Sequence, residues 1–292
     1  MTRKNNLQTK AKPVGIQSIE EWSKMMKERK RAPQLIEELL ADEKGEYMVL
    51  AGRTGIGKTN LVLNLAFCLA TGTPFFGFKC RKVVVAFVAF EGDPTNMADR
   101  YEKLKQYFPD TEGRLHFEML SIGNPAELAE TVFTKLKHTA RCKVVILDPI
   151  KYIVPGDYLK PVDVKSFIQE FKELLVVCGV TGIVTLPIRK PYAAKGIIRP
   201  GDVYSIKGAT EYVDGATSCL LVEKRTYLQQ RNRYRNKSGD SVTLSYTKHR
   251  IATRELGHIH LQLDRDKCIF EPVEKMVNRE DFSEITLRVP NE

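Results

Sequence analysis

The sequence predicts an α/β fold, with a mostly parallel central sheet flanked by helices and continued by an antiparallel C-terminal strand extension. The first observation behind this prediction is that short apolar segments rich in Val and Ile, such as VVVAFVAF and VVIL, alternate with amphipathic segments of helical length. The second is that helical patterns stop after residue 186, whereas strand-like alternation continues to residue 270. Alternating strands and helices are typical of right-handed βαβ units, whose parallel strands are buried on both faces.

The N-terminal part of the chain is predicted to lie outside this fold. Ser18 and Glu21 have the spacing of a capping box, so a helix should begin there. Pro33 should interrupt it before a second helical piece, QLIEELLA. The predicted divisions are a flexible basic tail (1–16), an N-terminal helical segment (17–43), the α/β domain (44–272) and a C-terminal tail (273–292).

Within the α/β domain, each element follows from its local pattern of apolar residues. The parallel strands are predicted at Tyr47–Ala51, Lys82–Phe90, Leu115–Leu120, Val144–Leu147 and Gly182–Leu186. The helices between them are predicted at Lys58–Thr71, Pro94–Tyr107, Ala126–His138 and Val162–Val177. The antiparallel extension is predicted at Ser218–Val222, Ser241–Thr247, His258–Leu263 and Cys268–Phe270.

The charge of the chain is concentrated in two segments. The 292 residues include 46 Lys and Arg against 36 Asp and Glu, which gives a formal net charge of +10. Residues 1–31 and 224–237 each hold six more basic than acidic side chains, so the remainder is nearly neutral. The excess charge therefore bears on partners and loops rather than on the fold.

Composition also argues against several classes of protein. The longest apolar run, Val83–Phe90, has eight residues, whereas a membrane-spanning helix needs about 20, so we expect no membrane partner. No apolar stretch of secretory-signal length follows the basic start, which predicts a cytoplasmic location. Six widely spaced cysteines without a CxxC pair indicate reduced core thiols rather than a zinc site or a disulfide framework.

A phosphate-binding loop is the most specific motif of the sequence. Residues 52–59, GRTGIGKT, match GxxxxGK[ST] between a predicted strand and a predicted helix, which is the context that this motif requires. Its glycines let successive backbone N–H groups point into one concavity at the helix N-terminus, where they hold phosphate oxygens. Lys58 would reach the β- and γ-phosphates, and the Thr59 hydroxyl would bind Mg²⁺. The candidate nucleotide-binding residues are Gly52, Arg53, Thr54, Gly55, Ile56, Gly57, Lys58, Thr59 and Asn60.

Carboxylates at two predicted strand ends supply the remaining chemistry of a phosphate site. Asp148 closes the strand at 144–147, so it should lie at the carboxyl edge of the sheet beside the loop and hold the magnesium shell. Glu91 closes the strand at 82–90 in the same way and could act as general base toward water. Asp93 is the competing candidate for the base.

With these motifs in this order, the chain resembles the RecA-like P-loop ATPases of the replicative-helicase branch, especially the plasmid RepA group and more distantly the DnaB motor domain. The resemblance covers roughly residues 44–272 and rests on the phosphate loop, VVVAFVAFEGDP, VVILDPI, IVTLPIRK, IKGATEYVDGATSCLLVEK, TKHR and LGHIHLQLD. It implies a RecA-like P-loop NTPase that hydrolyses ATP with Mg²⁺, with Glu91 activating water and Asp148 in the magnesium shell. It also implies that Arg100 lies against the adenine.

The same resemblance implies an oligomer. In the helicase branch, a Lys and an Arg two residues apart on a late strand reach the nucleotide of the neighbouring subunit, and the matching pair here is Lys248 and Arg250. Alternation along a strand puts such a pair on one face. Such a pair acts as an arginine finger, a cation that one subunit supplies to the nucleotide site of its neighbour. An arginine finger of this kind requires a homo-oligomer, and the family implies a ring, usually a hexamer.

One position departs from the family pattern. The family usually carries a His or Gln at the end of the strand before the "RK" pair, where it senses the γ-phosphate. This chain reads TLPIRK at 185–190 and has neither residue there. Either Thr185 or Arg189 has taken that role, or the coupling of hydrolysis to movement is weakened.

Two basic segments are candidates for binding single-stranded DNA. Ring motors hold a single strand with cations on channel-facing loops, and tyrosines among those cations can stack on bases. The first segment, 190–207, is rich in Gly and Pro, and the second, 224–237, contains Tyr227 and Tyr234. The candidate nucleic-acid contacts are Lys195, Arg199, Arg231, Arg233 and Arg235.

The sequence therefore predicts a ring-forming ATPase acting on single-stranded DNA, such as a replicative helicase of a plasmid, phage or mobile element. Two alternatives stay open. The missing sensor residue favours a RecA- or KaiC-like switch ATPase that loads or regulates a partner without unwinding. The third hypothesis is a scaffold that binds ATP without hydrolysis, against which Glu91 and Asp148 argue.

Overall fold

The computed structural model describes residues 16, 18–28, 32–188, 210–224 and 241–273, in two units that divide after residue 32. The first unit contains helix α1 (Ile19–Glu28). The Ser18 hydroxyl oxygen accepts a hydrogen bond from the Glu21 backbone N–H at 3.2 Å, and the Glu21 carboxylate accepts one from the Ser18 N–H at 3.4 Å. The predicted capping box is formed, and the helix begins where it predicts.

The second unit is built on a nine-stranded sheet with the strand order β11-β10-β9-β8-β3-β7-β6-β4-β5. Its strands are β3 (Tyr47–Gly52), β4 (Val84–Ala89), β5 (Leu115–Met119), β6 (Cys142–Asp148), β7 (Thr181–Pro187), β8 (Ser218–Lys224), β9 (Ser241–His249), β10 (His258–Asp264) and β11 (Ile269–Pro272). The helices of this unit are α2 (Lys58–Thr71), α3 (Pro94–Lys105), α4 (Pro125–His138), α5 (Pro161–Cys178) and α6 (Thr210–Gly215). The predicted α/β class, with its antiparallel C-terminal strands, is confirmed.

Two apolar clusters cover the two faces of the sheet. One contains the apolar face of α2 with alternate residues of the central strands, such as Leu50 and Ile146. The other contains α4 and α5 with the intervening strand residues, such as Val49 and Val145. Strands buried on both faces are the reason that VVVAFVAF and VVIL are continuously apolar. Among the described residues, no helix is long and apolar enough to span a membrane.

The predicted helix over QLIEELLA is wrong, because these residues form a hairpin. Strands β1 (Gln34–Ile36) and β2 (Leu40–Ala41) pair antiparallel, and Glu38 in the turn has a φ of 59°. The four large apolar side chains of the hairpin are fully buried in the cluster that contains α2. A helix of eight residues is marginal by itself, so burial of these side chains in the cluster outweighs the helical pattern of the segment.

Two further expectations about the C-terminal half are corrected. The strand predicted at 218–222 belongs to the parallel part of the sheet, since β8 runs parallel to β3 and antiparallel to β9. The antiparallel extension therefore begins at β9. Helical structure also does not stop after residue 186, because the short helix α6 precedes β8.

Helix α2 is tied to the last strand by a buried side chain. The Asn64 amide donates to the Cys268 carbonyl at 2.9 Å, and its oxygen accepts from the Phe270 N–H at 2.9 Å. Asn64 is 4% exposed. Because it satisfies the backbone of β11, it fixes the antiparallel extension beside the phosphate loop.

We expect Asn64→Leu to lower the free energy of unfolding by about 2–4 kcal/mol, since it leaves a buried backbone donor and acceptor unsatisfied. Urea unfolding followed by circular dichroism measures this loss. Asn96→Leu on α3 is the matched control, because Asn96 is exposed and should change stability by less than about 0.5 kcal/mol. Equal stabilities for the two variants would contradict the assignment.

Candidate nucleotide site

The predicted phosphate loop joins β3 to α2 with the backbone that the motif requires. Gly55 and Gly57 have φ angles of 77° and 98°, a region in which a side chain would be strained. A side chain at Gly57 would also collide with the Phe270 ring, 2.9 Å from the position of its Cβ. The Lys58 ammonium group donates to the Arg53 carbonyl at 2.9 Å, so the loop closes on itself. The loop thus has the glycine geometry of a phosphate cradle.

A cavity of about 420 Å³ opens in front of this loop. It brings together most of the residues that the sequence predicts for a nucleotide site: Thr54, Gly55, Ile56, Gly57, Lys58, Thr59, Asn60, Glu91, Arg100 and Asp148. Gly52 and Arg53 come just before the lining residues, where they shape the loop. The cavity lies at the carboxyl edge of the parallel strands, where open α/β sheets bind their ligands.

Asp148 lies at the end of β6, buried behind the loop. Its side chain accepts a hydrogen bond from the Thr185 hydroxyl, and the Thr59 hydroxyl lies close enough to lower its pKa. Burial raises the pKa of the Asp148 carboxyl, against the opposing effects of both hydroxyls and of Lys58. Asp148 and Thr59 together present hard oxygen donors at one point, a donor set that suits Mg²⁺ completed by phosphate oxygens and water. The described residues hold no group of three or more His, Cys, Asp or Glu side chains that could bind a metal by themselves.

Glu91 follows β4 and is held by two neighbours. Its Oε1 atom lies 2.6 Å from the Lys151 ammonium group and accepts a hydrogen bond from the Tyr152 hydroxyl. Burial alone would raise the pKa of Glu91, but these two contacts outweigh it and lower the pKa. Asp93, the competing base, instead caps α3 by accepting from the Asn96 N–H at 2.9 Å. The geometry thus favours Glu91, whose side chain lines the cavity.

Comparison with known proteins agrees with the geometry of the nucleotide site. The family model described as "AAA domain" matches residues 10–191. The chain belongs to the AAA domain family. The fold of this AAA domain is similar to that of a KaiC-like protein, PH0186, from the hyperthermophilic archaeon Pyrococcus horikoshii OT3, with 16% sequence identity and a TM-score of 0.53 over 82% of this chain and 94% of that one. No curated protein matches the chain in sequence. The RecA-like P-loop class is thereby confirmed, whereas the helicase branch stays a prediction.

Arg100 lies on helix α3 and lines the nucleotide cavity of the AAA domain. It is half-buried. Its place in the cavity is compatible with the predicted contact to adenine, which stays a prediction.

The side chains of Lys248 and Arg250 lie on one side of β9 at its C-terminal end, as their spacing predicts. Both donate to carbonyl groups at the end of α6 in their own chain. The Lys248 ammonium group donates to the Val213 carbonyl and, at 2.9 Å, to the Asp214 carbonyl, while the Arg250 guanidinium donates to the Asp214 carbonyl at 2.7 Å. These carbonyls lie near the C-terminus of α6, where the partial charge is negative. The described lining of the nucleotide cavity does not include either cation.

Thr185, on β7, occupies the position where the sequence lacks a His or Gln. It is fully buried and donates to the Asp148 carboxylate. Its hydroxyl therefore supports the candidate magnesium ligand from β7, the strand between β3 and β6. Arg189, the other candidate for this position, lies outside the described residues, as do Lys195, Arg199, Arg231, Arg233 and Arg235.

Sequence reasoning missed several residues that line the nucleotide cavity. They are Pro149, Lys151, Pro187, Lys224, Val242, Leu263, Arg265 and Phe270. For Lys151, a signal was present, because it follows Asp148 at the carboxyl end of a parallel strand. For the residues of β9, β10 and β11 no local signal exists, since strand pairing through β8 and the Asn64 anchor bring these strands to the loop.

Proposed function

We propose that the chain is an Mg²⁺-dependent ATPase. The observation that supports this most directly is the convergence of Lys58, Thr59, Asp148 and Glu91 on one cavity at the phosphate loop. Thr59 and Asp148 would hold Mg²⁺, which when bound neutralises charge on the β- and γ-phosphates. Lys58 would exchange the Arg53 carbonyl for phosphate oxygens, because an anion is a stronger acceptor for an ammonium group than a carbonyl.

In this proposal, hydrolysis proceeds by attack of water on the γ-phosphorus. Glu91 takes the proton of the attacking water, the bond from the γ-phosphorus to the bridging oxygen breaks, and the products are ADP and phosphate. Lys58 and the backbone N–H groups of the loop stabilise the charge that develops on the phosphate oxygens. Arg100 would orient the nucleotide from the side of α3.

We further propose that the ATPase works as a homo-oligomeric ring, a hexamer, that moves on single-stranded DNA. The argument for a ring is the pair Lys248 and Arg250. Both side chains donate to the Asp214 carbonyl, and neither belongs to the described lining of the nucleotide cavity in its own chain. The argument for DNA is the basic segment at 224–237, with tyrosines among its cations. Together they support a helicase of a plasmid, phage or mobile element.

A switch ATPase that regulates a partner is the second candidate, and Thr185 favours it. Thr185 is fully buried and its hydroxyl donates to the Asp148 carboxylate, so this position offers one short hydroxyl side chain, already bonded, where the resembled family has a longer His or Gln. A weakened relay would leave hydrolysis intact but uncouple it from unwinding.

The deciding experiment compares phosphate release with and without single-stranded DNA, at several salt concentrations, beside unwinding of a forked duplex. We expect DNA to stimulate hydrolysis, the stimulation to fall as salt rises, and the fork to be unwound. Stimulation without unwinding would select the switch, and no hydrolysis would select the scaffold. Lys58→Ala, which removes the phosphate-binding ammonium group, should be inactive and is the negative control; turnover by that variant would contradict the site itself.

A further inference from the structure

The nucleotide cavity contains a second ammonium group near Lys58. Lys151 lies in the short 3-10 turn at Ile150–Ile153, directly after β6, and its side chain is 22% exposed. Lys58 and Lys151 line the cavity together with the carboxylates of Asp148 and Glu91. Two cations in one partly buried cavity favour an anion between them. A triphosphate is an anion of this kind.

Lys151 is paired with Glu91. Its ammonium nitrogen is 2.6 Å from Glu91 Oε1 and 4.5 Å from the centre of the Tyr152 ring. The Tyr152 hydroxyl donates to the same carboxylate oxygen. A carboxylate that receives both an ammonium group and a hydroxyl is stabilised in its charged form and is a poor base. Glu91 is therefore held in a state unsuited to taking a proton from water.

We propose that Lys151 senses the γ-phosphate: it pairs with Glu91 when the cavity holds no triphosphate, and it moves to the γ-phosphate when ATP binds, releasing Glu91 to act on water. This inference rests on the proposed ATPase function. The γ-phosphate carries more negative charge than one carboxylate and offers three acceptor oxygens, so the exchange favours the phosphate. The ammonium group is a point charge on a flexible stem, which makes such a transfer feasible by side-chain rotation.

In this proposal Lys151 senses the γ-phosphate, the role of the His or Gln that is missing at the end of β7. A sensor must distinguish ATP from ADP. A cation that contacts the γ-phosphate and no other phosphate makes this distinction, because ADP lacks that group. It must also change the site when that phosphate leaves, and the return of Lys151 to Glu91 does this. Hydrolysis would thus switch off the general base until a new ATP arrives.

The first test measures binding rather than turnover. Displacement of a fluorescent ADP analogue gives the dissociation constants of ATPγS and ADP, each with Mg²⁺. Lys151→Met should raise the dissociation constant of ATPγS about tenfold and that of ADP less than about twofold, because only the γ-phosphate contact is lost. Lys151→Arg keeps the charge and should retain most of the preference for ATPγS. Lys143→Met is the matched control, since Lys143 lies at the other end of β6, paired with Asp42 at 3.7 Å.

A double-mutant cycle tests the exchange itself. Glu91→Gln removes the competing anion, so it should tighten ATPγS binding in the wild-type background by about threefold or more. The gain should be clearly smaller in the Lys151→Met background, where no ammonium group is released. An equal gain in both backgrounds would overturn the exchange, because it would reflect general charge alone.

The failure of this inference can be distinguished from failure of the ATPase proposal. If wild-type protein binds ATPγS and Lys58→Ala abolishes that binding, but Lys151→Met keeps the wild-type ratio of ATPγS to ADP affinity, the role of Lys151 is wrong and the ATPase proposal stands. If wild-type protein binds neither nucleotide, both are wrong. Thermal unfolding of each variant without nucleotide excludes loss of the fold as the cause.

Discussion

Glu91→Gln is expected to bind ATP and to hydrolyse it about 10²–10⁴ times more slowly than the wild-type protein, which is the range that a general base contributes. The amide keeps the shape of the carboxylate and can still accept the hydrogen bond from Tyr152, but it cannot take a proton from water. Single-turnover phosphate release measures the chemical step, and binding of a fluorescent ATP analogue shows that the site remains formed.

Asp93→Asn is the matched control for this experiment. Asp93 is two residues away and also carries a carboxylate, but its side chain caps α3. Asn caps a helix as well as Asp does, so the variant removes one charge and preserves the helix. We expect its rate to stay within about threefold of wild type. The opposite pattern, a fast Glu91→Gln and a slow Asp93→Asn, would move the base to Asp93.

The parts of the site that lie next to one another in sequence could be predicted, because their geometry is local. The glycine spacing at 52–59 fixes the turn, and helix α2 runs over the predicted residues, Lys58–Thr71. Asp148 and Glu91 could be placed because parallel strands end at one edge of the sheet, so a residue at a strand end is brought to that edge whatever its partners are. The same rule could have found Lys151.

The parts that depend on contacts between distant segments could not be predicted. The hairpin at 34–41 has a helical pattern of apolar residues, but its burial against the α2 cluster and its isolated bridge from Ile36 to Cys80 decide its structure. Phe270 reaches the phosphate loop through the pairing of β11 with β10 and the hydrogen bond to Asn64, across about 200 residues of sequence. Tertiary packing outweighs propensity in both cases.

Arg250→Ala is expected to lower the rate of ATP hydrolysis by about 10³-fold or more, if Arg250 supplies the finger to the site of a neighbouring subunit. The guanidinium now donates to the Asp214 carbonyl at 2.7 Å, a neutral acceptor that a γ-phosphate can replace. Arg254→Ala is the matched control. That residue is four positions further on and pairs with Glu38 at 2.8 Å, so its loss should change stability slightly and leave turnover near the wild-type rate.

Mixing two inactive variants shows whether Arg250 acts in its own subunit or in a neighbour. Arg250→Ala subunits have an intact nucleotide site but no finger, whereas Lys58→Ala subunits have a finger but no working site. In a mixed oligomer, the intact nucleotide site of an Arg250→Ala subunit can receive Arg250 from a neighbouring Lys58→Ala subunit. Activity should therefore reappear on mixing and rise with total protein concentration. A finger that acts within its own chain cannot be supplied in this way. Mixtures as inactive as either variant alone, under conditions in which they assemble, would refute the finger from a neighbour.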